Sequence, residues 1–300
     1  MGDIYAADHL FLGRPVAIKL PRFDDDRLAF NQQRLLSEAR SLALVSHPNV
    51  VGVHDMGLTE ERMGYLVMEL LDGKSLDQIM DRVPLFLFPT ILHLTKEVAR
   101  ATAACHRAGI ICADVKPDNI MVVHGPLVGR PAQGAVWTKI IDLGTARSIE
   151  AEAARDSESS QTVIGTPAYM SPEMAMGRPL DPRADIYSLG TLLFELVAGR
   201  PPFVDDSAEV VLEKHVYEPP PPLSEHREEL TPNCDFERLV NRCLAKDPED
   251  RPASATGFLD ELDRASRSLP EPEFRPKMGR RPVKRPSQKR LQTAVVKPRR

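Results

Sequence analysis

Lys19 closes the apolar run Val16-Ala17-Ile18-Lys19, and Glu38 follows 19 residues later in a stretch with helical spacing. Further along come Asp114-Val115-Lys116-Pro117-Asp118-Asn119 and then Asp142-Leu143-Gly144, which follows the β-prone run Lys139-Ile140-Ile141. Taken singly these residues are unspecific, because a lysine at a strand end usually faces solvent and a loop aspartate is usually a satisfied carboxylate. As an ordered set they suit a reaction that needs positioning and charge neutralisation more than covalent chemistry. An accidental sequence rarely supplies them all in this order.

Elements must hold these residues in place. Val16–Leu20, Val50–Asp55 and Tyr65–Leu70 are apolar and β-prone, and Leu28–Val45 carries Leu35, Leu36, Ala39, Leu42 and Ala43 at helical spacing. His47-Pro48-Asn49 ends that helix, since proline disfavours a helical residue before it. Beyond Asp72-Gly73 the pattern turns helical, with an amphipathic segment at Pro89–His106 and a strongly apolar one at Asp185–Ala198, stopped by Gly199-Arg200-Pro201-Pro202. Further helices are expected near 207–217, 235–245 and 254–267. Residues 124–137 and 145–164 lack periodicity and read as mobile loops of a length that is often functional.

Composition removes several classes. Three hundred residues, 42% hydrophobic and 27% charged, suit one large or two medium globular domains and exclude a disulfide-stapled mini-protein. Cys105, Cys112, Cys234 and Cys243 form no C-x-x-C pair and no metal spacing, so reduced thiols in a cytoplasmic protein are the default. There is no apolar run long enough to span a membrane, no secretion signal and no repeat period of 20 to 50 residues. The formal charge of −4 divides into −15 for residues 1–274 and +11 for the proline-rich end. That basic end is read as disordered, and as a solvated extension, a contact for nucleic acid or an acidic partner, or a linker. Without interleaved aromatics, nucleic acid is the weaker reading.

Joined by Gly165-Thr166-Pro167-Ala168-Tyr169-Met170-Ser171-Pro172-Glu173 and Asp185-Ile186-Tyr187-Ser188-Leu189-Gly190, the motifs above resemble the protein kinase signature set. Over roughly residues 1 to 268 the chain is similar to bacterial (Hanks-type) serine/threonine protein kinases, with Arg251 of Asp250-Arg251-Pro252 also where the family has it. The resemblance implies an α+β, two-lobed fold: a small β-rich N-lobe at 1–71, a larger helical C-lobe at 72–268, and the disordered basic tail at 269–300. It implies ATP and Mg²⁺ as cofactors and protein substrates with Ser or Thr acceptors. Lys19 would hold the α and β phosphates while Glu38 holds Lys19. Asn119 and Asp142 would present oxygens to Mg²⁺. Asp114 would accept the substrate hydroxyl proton, with Lys116 neutralising the γ-phosphate. Adenine would lie between Ala17 and Met121, bonded to backbone groups of Glu69 and Leu71, with Met68 at the back. Glu173 would pair with Arg251, and Asp185 would anchor the catalytic loop.

Two departures stand out. The family usually places His-Arg before the catalytic aspartate, and this chain has Cys112-Ala113. The missing arginine normally pairs with a phosphorylated activation loop, so activity is expected to depend weakly on Ser157, Ser159, Ser160 and Thr162. Cys112 can serve as a small hydrophobe. Residues 1–8 match only the end of the usual Gly-x-Gly-x-x-Gly-x-Val loop, leaving Gly2 and Ile4 as its nucleotide contacts, and an upstream start is expected. The rivals are a pseudokinase acting as a nucleotide-binding or scaffold module and, more weakly, a small-molecule kinase of the same fold.

Overall fold

The computed structural model describes residues 2–21, 28–83, 85–124, 136–155 and 165–269. Asp3–His9 (β1) and Arg14–Leu20 (β2) form an antiparallel hairpin, followed by the helix Leu28–Leu44 (α1) and the strands Val53–Leu58 (β3) and Gly64–Glu69 (β4). The four strands make one sheet in the order β1-β2-β4-β3. Leu35, Ala39 and Leu42 recur on one stripe of α1 and are buried together with Leu66 and Met68 of β4. Glu38 lies on that same stripe, because i, i+3, i+4 and i+7 share a face, and so a carboxylate is carried into the core.

Next come Gly73–Ser75 (β5), Leu76–Met80 (α2), Phe88–Arg107 (α3), Ile110–Ile111 (β6), Ile120–His124 (β7), Val136–Ile140 (β8), Arg147–Ser148 (β9) and Ile149–Ala153 (α4). Pro172–Ala175 (α5), Arg183–Ala198 (α6), Ala208–Tyr217 (α7), Asp235–Cys243 (α8) and Ala255–Ala265 (α9) complete the helical region. Strands β5, β7 and β8 form a second sheet, and β6 pairs with β9. From Ala184 to Val197 every residue of α6 is buried, as expected of a helix apolar all round. Its end is set by Gly199 in the left-handed conformation at φ 77°. The sheet region and the helical region are stitched by backbone bonds, from Val51 N–H to the Ile140 carbonyl and from Ile140 N–H to the Asn49 carbonyl. This is the two-lobed α+β architecture.

Two expectations are corrected. Residues 1–8, read as the end of a phosphate-covering loop, contain most of the strand β1, in which no residue is fully buried. Pairing with β2, with Ile4 opposite Lys19 and Ala6 opposite Ala17, makes it a strand. Residues 145–155, read as part of a loop, form β9 and α4; the Ser148 side chain caps α4 by accepting from Ala151 N–H. Of the expected loop 124–137, His124 ends β7 and Val136 and Trp137 open β8; residues 125–135 and 156–164 and the expected tail from 270 lie outside the described residues. Among the described residues the four cysteines are free, no His/Cys/Asp/Glu cluster could hold a metal, and no helix is long and apolar enough to cross a membrane.

Candidate active site

Lys19 arrives from β2, Glu38 from α1 and Asp142 from the turn after β8. The Lys19 Nζ donates to both Glu38 oxygens at 2.5 and 2.7 Å and to Asp142 Oδ2 at 3.0 Å. Burial alone would discharge the ammonium, yet Asp142 and Glu38 outweigh it and raise the Lys19 pKa. Burial and the nearby Asp142 push the Glu38 carboxyl up to about 7, against the pull of Lys19. For Asp142 burial works upward, but Lys19 and the Gly144 N–H win and lower its pKa, which keeps the carboxylate ionised. That N–H donates to Asp142 Oδ1 at 2.7 Å. A side chain at Gly144 would meet the same oxygen at 2.9 Å, so glycine is what allows the approach.

Asp114 and Lys116 lie close enough to Asp142 to act on its charge, and are themselves linked. The Asp114 Oδ2 accepts from Lys116 Nζ and Asn119 Nδ2, each at 2.7 Å. Lys116 also donates to the Thr166 hydroxyl at 2.8 Å, tying the loop to a residue 50 positions later. Burial raises the Asp114 pKa, Lys116 and Asn119 opposing. The loop backbone hangs on Asp185 of α6, whose oxygens accept the Cys112 and Ala113 N–H groups at 2.8 Å each and lie 2.7 Å from His106 Nε2. Ala113, just before Asp114, is left-handed at φ 58°, and these bonds hold a conformation that alanine avoids. Cys112 is buried among apolar neighbours, and a side-chain hydrogen bond with the Cys105 thiol, together with burial, pushes its thiol well above the usual range. It is a packing residue, as its place in the core requires.

Of the other positions singled out in the sequence, Gly2 lines a small cavity of about 30 Å³ with Lys19, Glu38 and Asp142. A Cβ there would stand 2.1 Å from the Leu20 carbonyl oxygen. Ile4 is exposed on β1. Ala17 faces Met68 across β2 and β4, and both pack in one cluster with Leu71. Met121 lies in the second sheet, outside that cluster, with Lys139 and Ser75 opposite it. Glu69 uses its side chain locally, accepting from Lys139 Nζ at 2.6 Å and Gly52 N–H at 2.7 Å. Glu173 and Arg251 form a two-pronged pair at 2.7 and 2.8 Å.

Sequence reasoning missed the carboxylate of Glu152, which is buried on α4 and bonded to Arg147 and Arg155. Its signal was the capping serine followed by charges at i, i+3 spacing, Ser148 through Glu152 to Arg155.

The arrangement can fix a cation against a polyanion and orient a hydroxyl beside a buried carboxylate. As to metal, Asn119 and Asp142 offer the hard oxygens Mg²⁺ prefers. A pair of protein ligands is what that ion uses when phosphates and water supply the rest.

Comparison with known proteins agrees with the geometry. The protein kinase domain model matches residues 1–261. The chain is 35% identical to the probable serine/threonine-protein kinase PknB of Corynebacterium glutamicum, across 89% of this chain and 41% of that protein. It is 36% identical to the serine/threonine-protein kinase pkn3 of Myxococcus xanthus, across 87% and 47%. For the serine/threonine-protein kinase PknA of Mycobacterium tuberculosis the figures are 35%, 93% and 62%. The chain thus spans about half the length of these relatives. With a family model covering residues 1–261 and relatives 35–36% identical over most of its length, the chain belongs to the protein kinase domain family.

Proposed function

We propose that this chain transfers the γ-phosphate of ATP to serine or threonine hydroxyls of protein substrates, with Mg²⁺. The observation that carries the reading is the triple contact of Lys19 with Glu38 and Asp142, three residues from distant parts of the chain. Glu38 fixes the ammonium where the α and β phosphates would bind, and the charge of Lys19 is maintained despite burial. Asp114 orients the acceptor hydroxyl and takes its proton, a role that its raised pKa favours. Lys116 meets the γ-phosphate charge while its bond to Thr166 brings the substrate-facing segment to the catalytic loop. Asn119 and Asp142 would hold Mg²⁺, which supplies neutralisation of the phosphate oxygens when bound. Adenine would pack between Ala17 and Met121, with Met68 behind it and the backbone of Glu69 and Leu71 at its edge. Gly2 and Ile4 would cover the phosphates. A cytoplasmic location fits the free thiols.

The test is transfer of labelled γ-phosphate from Mg-ATP to a generic basic protein. Turnover is expected to fall by roughly a thousandfold or more in Asp142→Ala, because preorganised charge is the main source of rate here. Transfer that survives Asp142→Ala would overturn the role given to Asp142, and no transfer at all while nucleotide still binds would favour a scaffold module instead.

A further inference from the structure

Ala113 puts a methyl group directly before Asp114, and it packs in a small apolar cluster with Ile111, Leu180 and Ala184, against which Ile149 and Met174 also lie. The position of Leu180 therefore bears on Ala113 and, one residue on, on Asp114. What holds Leu180 is a charge. Its N–H donates to Glu152 Oε2 at 3.0 Å. The same oxygen accepts from Arg155 at 2.6 Å, and Arg147 reaches Oε1 at 3.4 Å. Arg155 continues to the Gly177 carbonyl at 3.2 Å. One carboxylate, only 3% exposed, thus joins β9, α4 and the segment before α6.

We propose that Glu152 is a built-in anion that positions the catalytic loop through Leu180 and Ala113, so that turnover needs no phosphate on the segment 156–164. This rests on the kinase reading above. The physical reason is that a buried carboxylate between two guanidinium groups does what a phosphate between arginines does, by charge-assisted bonds that order a segment. Beside it opens a cleft of about 410 Å³ whose described lining residues include Arg34, Arg147, Arg155 and Arg178. The space that Glu152→Ala would open therefore adjoins guanidinium groups that can receive a small anion in place of the carboxylate.

The experiment uses the full chain after phosphatase treatment, as wild type, Glu152→Gln and Glu152→Ala. Treated wild type should keep its rate. Both variants should lose about tenfold or more in kcat, with KM for Mg-ATP unchanged within about twofold, as for a lost positioning contact. Added formate should restore most of the rate in Glu152→Ala, which has room for it, and not in Glu152→Gln. Tryptic cleavage after Arg155 should quicken in both variants and slow again with formate in Glu152→Ala. A rate that vanishes in treated wild type, variants that keep it, or a loss that formate leaves untouched would overturn the proposal. If wild type transfers no phosphate, the kinase reading fails, and the cleavage rates still decide whether Glu152 is the anion that orders this segment.

Discussion

Glu38 on α1 and Asp185 on α6 are both buried carboxylates, one bonded to Lys19 and the other to the backbone of Cys112 and Ala113, yet they are held in opposite ways. Asp185 is fully buried in a helix whose every residue from Ala184 to Val197 is inside, and it accepts two backbone N–H groups. Glu173 and Arg251 repeat the pattern, with Arg251 also donating to the Ala245, Lys246 and Arg183 carbonyls. The α1 helix instead packs one stripe on β4 and leaves Phe30, Leu36 and Leu44 exposed, and Glu38 is held by charge, from the Lys19 ammonium with the Arg34 guanidinium nearby. The helical region is fixed by many bonds to backbone. The sheet region is fixed at this point by a charge pair that costs much desolvation and can be undone by one proton or one displacement.

The comparison can be broken from either side. The largest effect is expected from Glu173→Gln, which strands the buried Arg251 charge: a loss of about 3–5 kcal/mol of unfolding free energy, read from denaturant curves. A loss below about 1 kcal/mol would show that the helical region is not held by its ion pair. Glu38→Gln should cut kcat/KM about a hundredfold, roughly 2.7 kcal/mol, while the denaturation midpoint barely moves. Equal loss of stability would erase the distinction between the two regions.

A further effect, spread over the titration window of one group, is in pH. Glu38 titrates near 7 in the folded chain against 4.5 as its ordinary value, so between these the folded state binds more protons than the unfolded one. Its contribution to stability therefore declines as pH rises through that window, by at most about 1.4 kcal/mol per pH unit. Phosphoryl transfer should run the other way, rising as Glu38 ionises and clamps Lys19. Glu38→Gln should flatten the stability slope, and a slope that persists in the variant would assign it to other groups.

Much of the helical region was legible because its signals are local. The apolar spacing in Pro89–His106 and the stop at Gly199 place α3 and α6 within two residues of their observed ends. The strand β1 was not, since none of its residues is fully buried and only the open edge of β2 makes it a strand. Helix α4 was hidden for a related reason: Glu152 reads as a surface charge until Arg147, Arg155 and the Leu180 N–H close around it. Within the candidate site, residue types and order were readable. The bond from Lys116 to Thr166 and the left-handed Ala113 held by Asp185 were not.

By itself the sequence determined the inventory: which charges exist, in what order, and which apolar stripes must be buried, because hydrophobic periodicity and turn chemistry act over a few residues. Only the tertiary structure decided which charges meet. Lys19 and Asp142 are separated by 123 positions. Their 3.0 Å contact exists because α1 and β4 pack as one layer and β8 is bonded to the segment that follows α1. Burial then raises or lowers each pKa according to the partner that packing supplies.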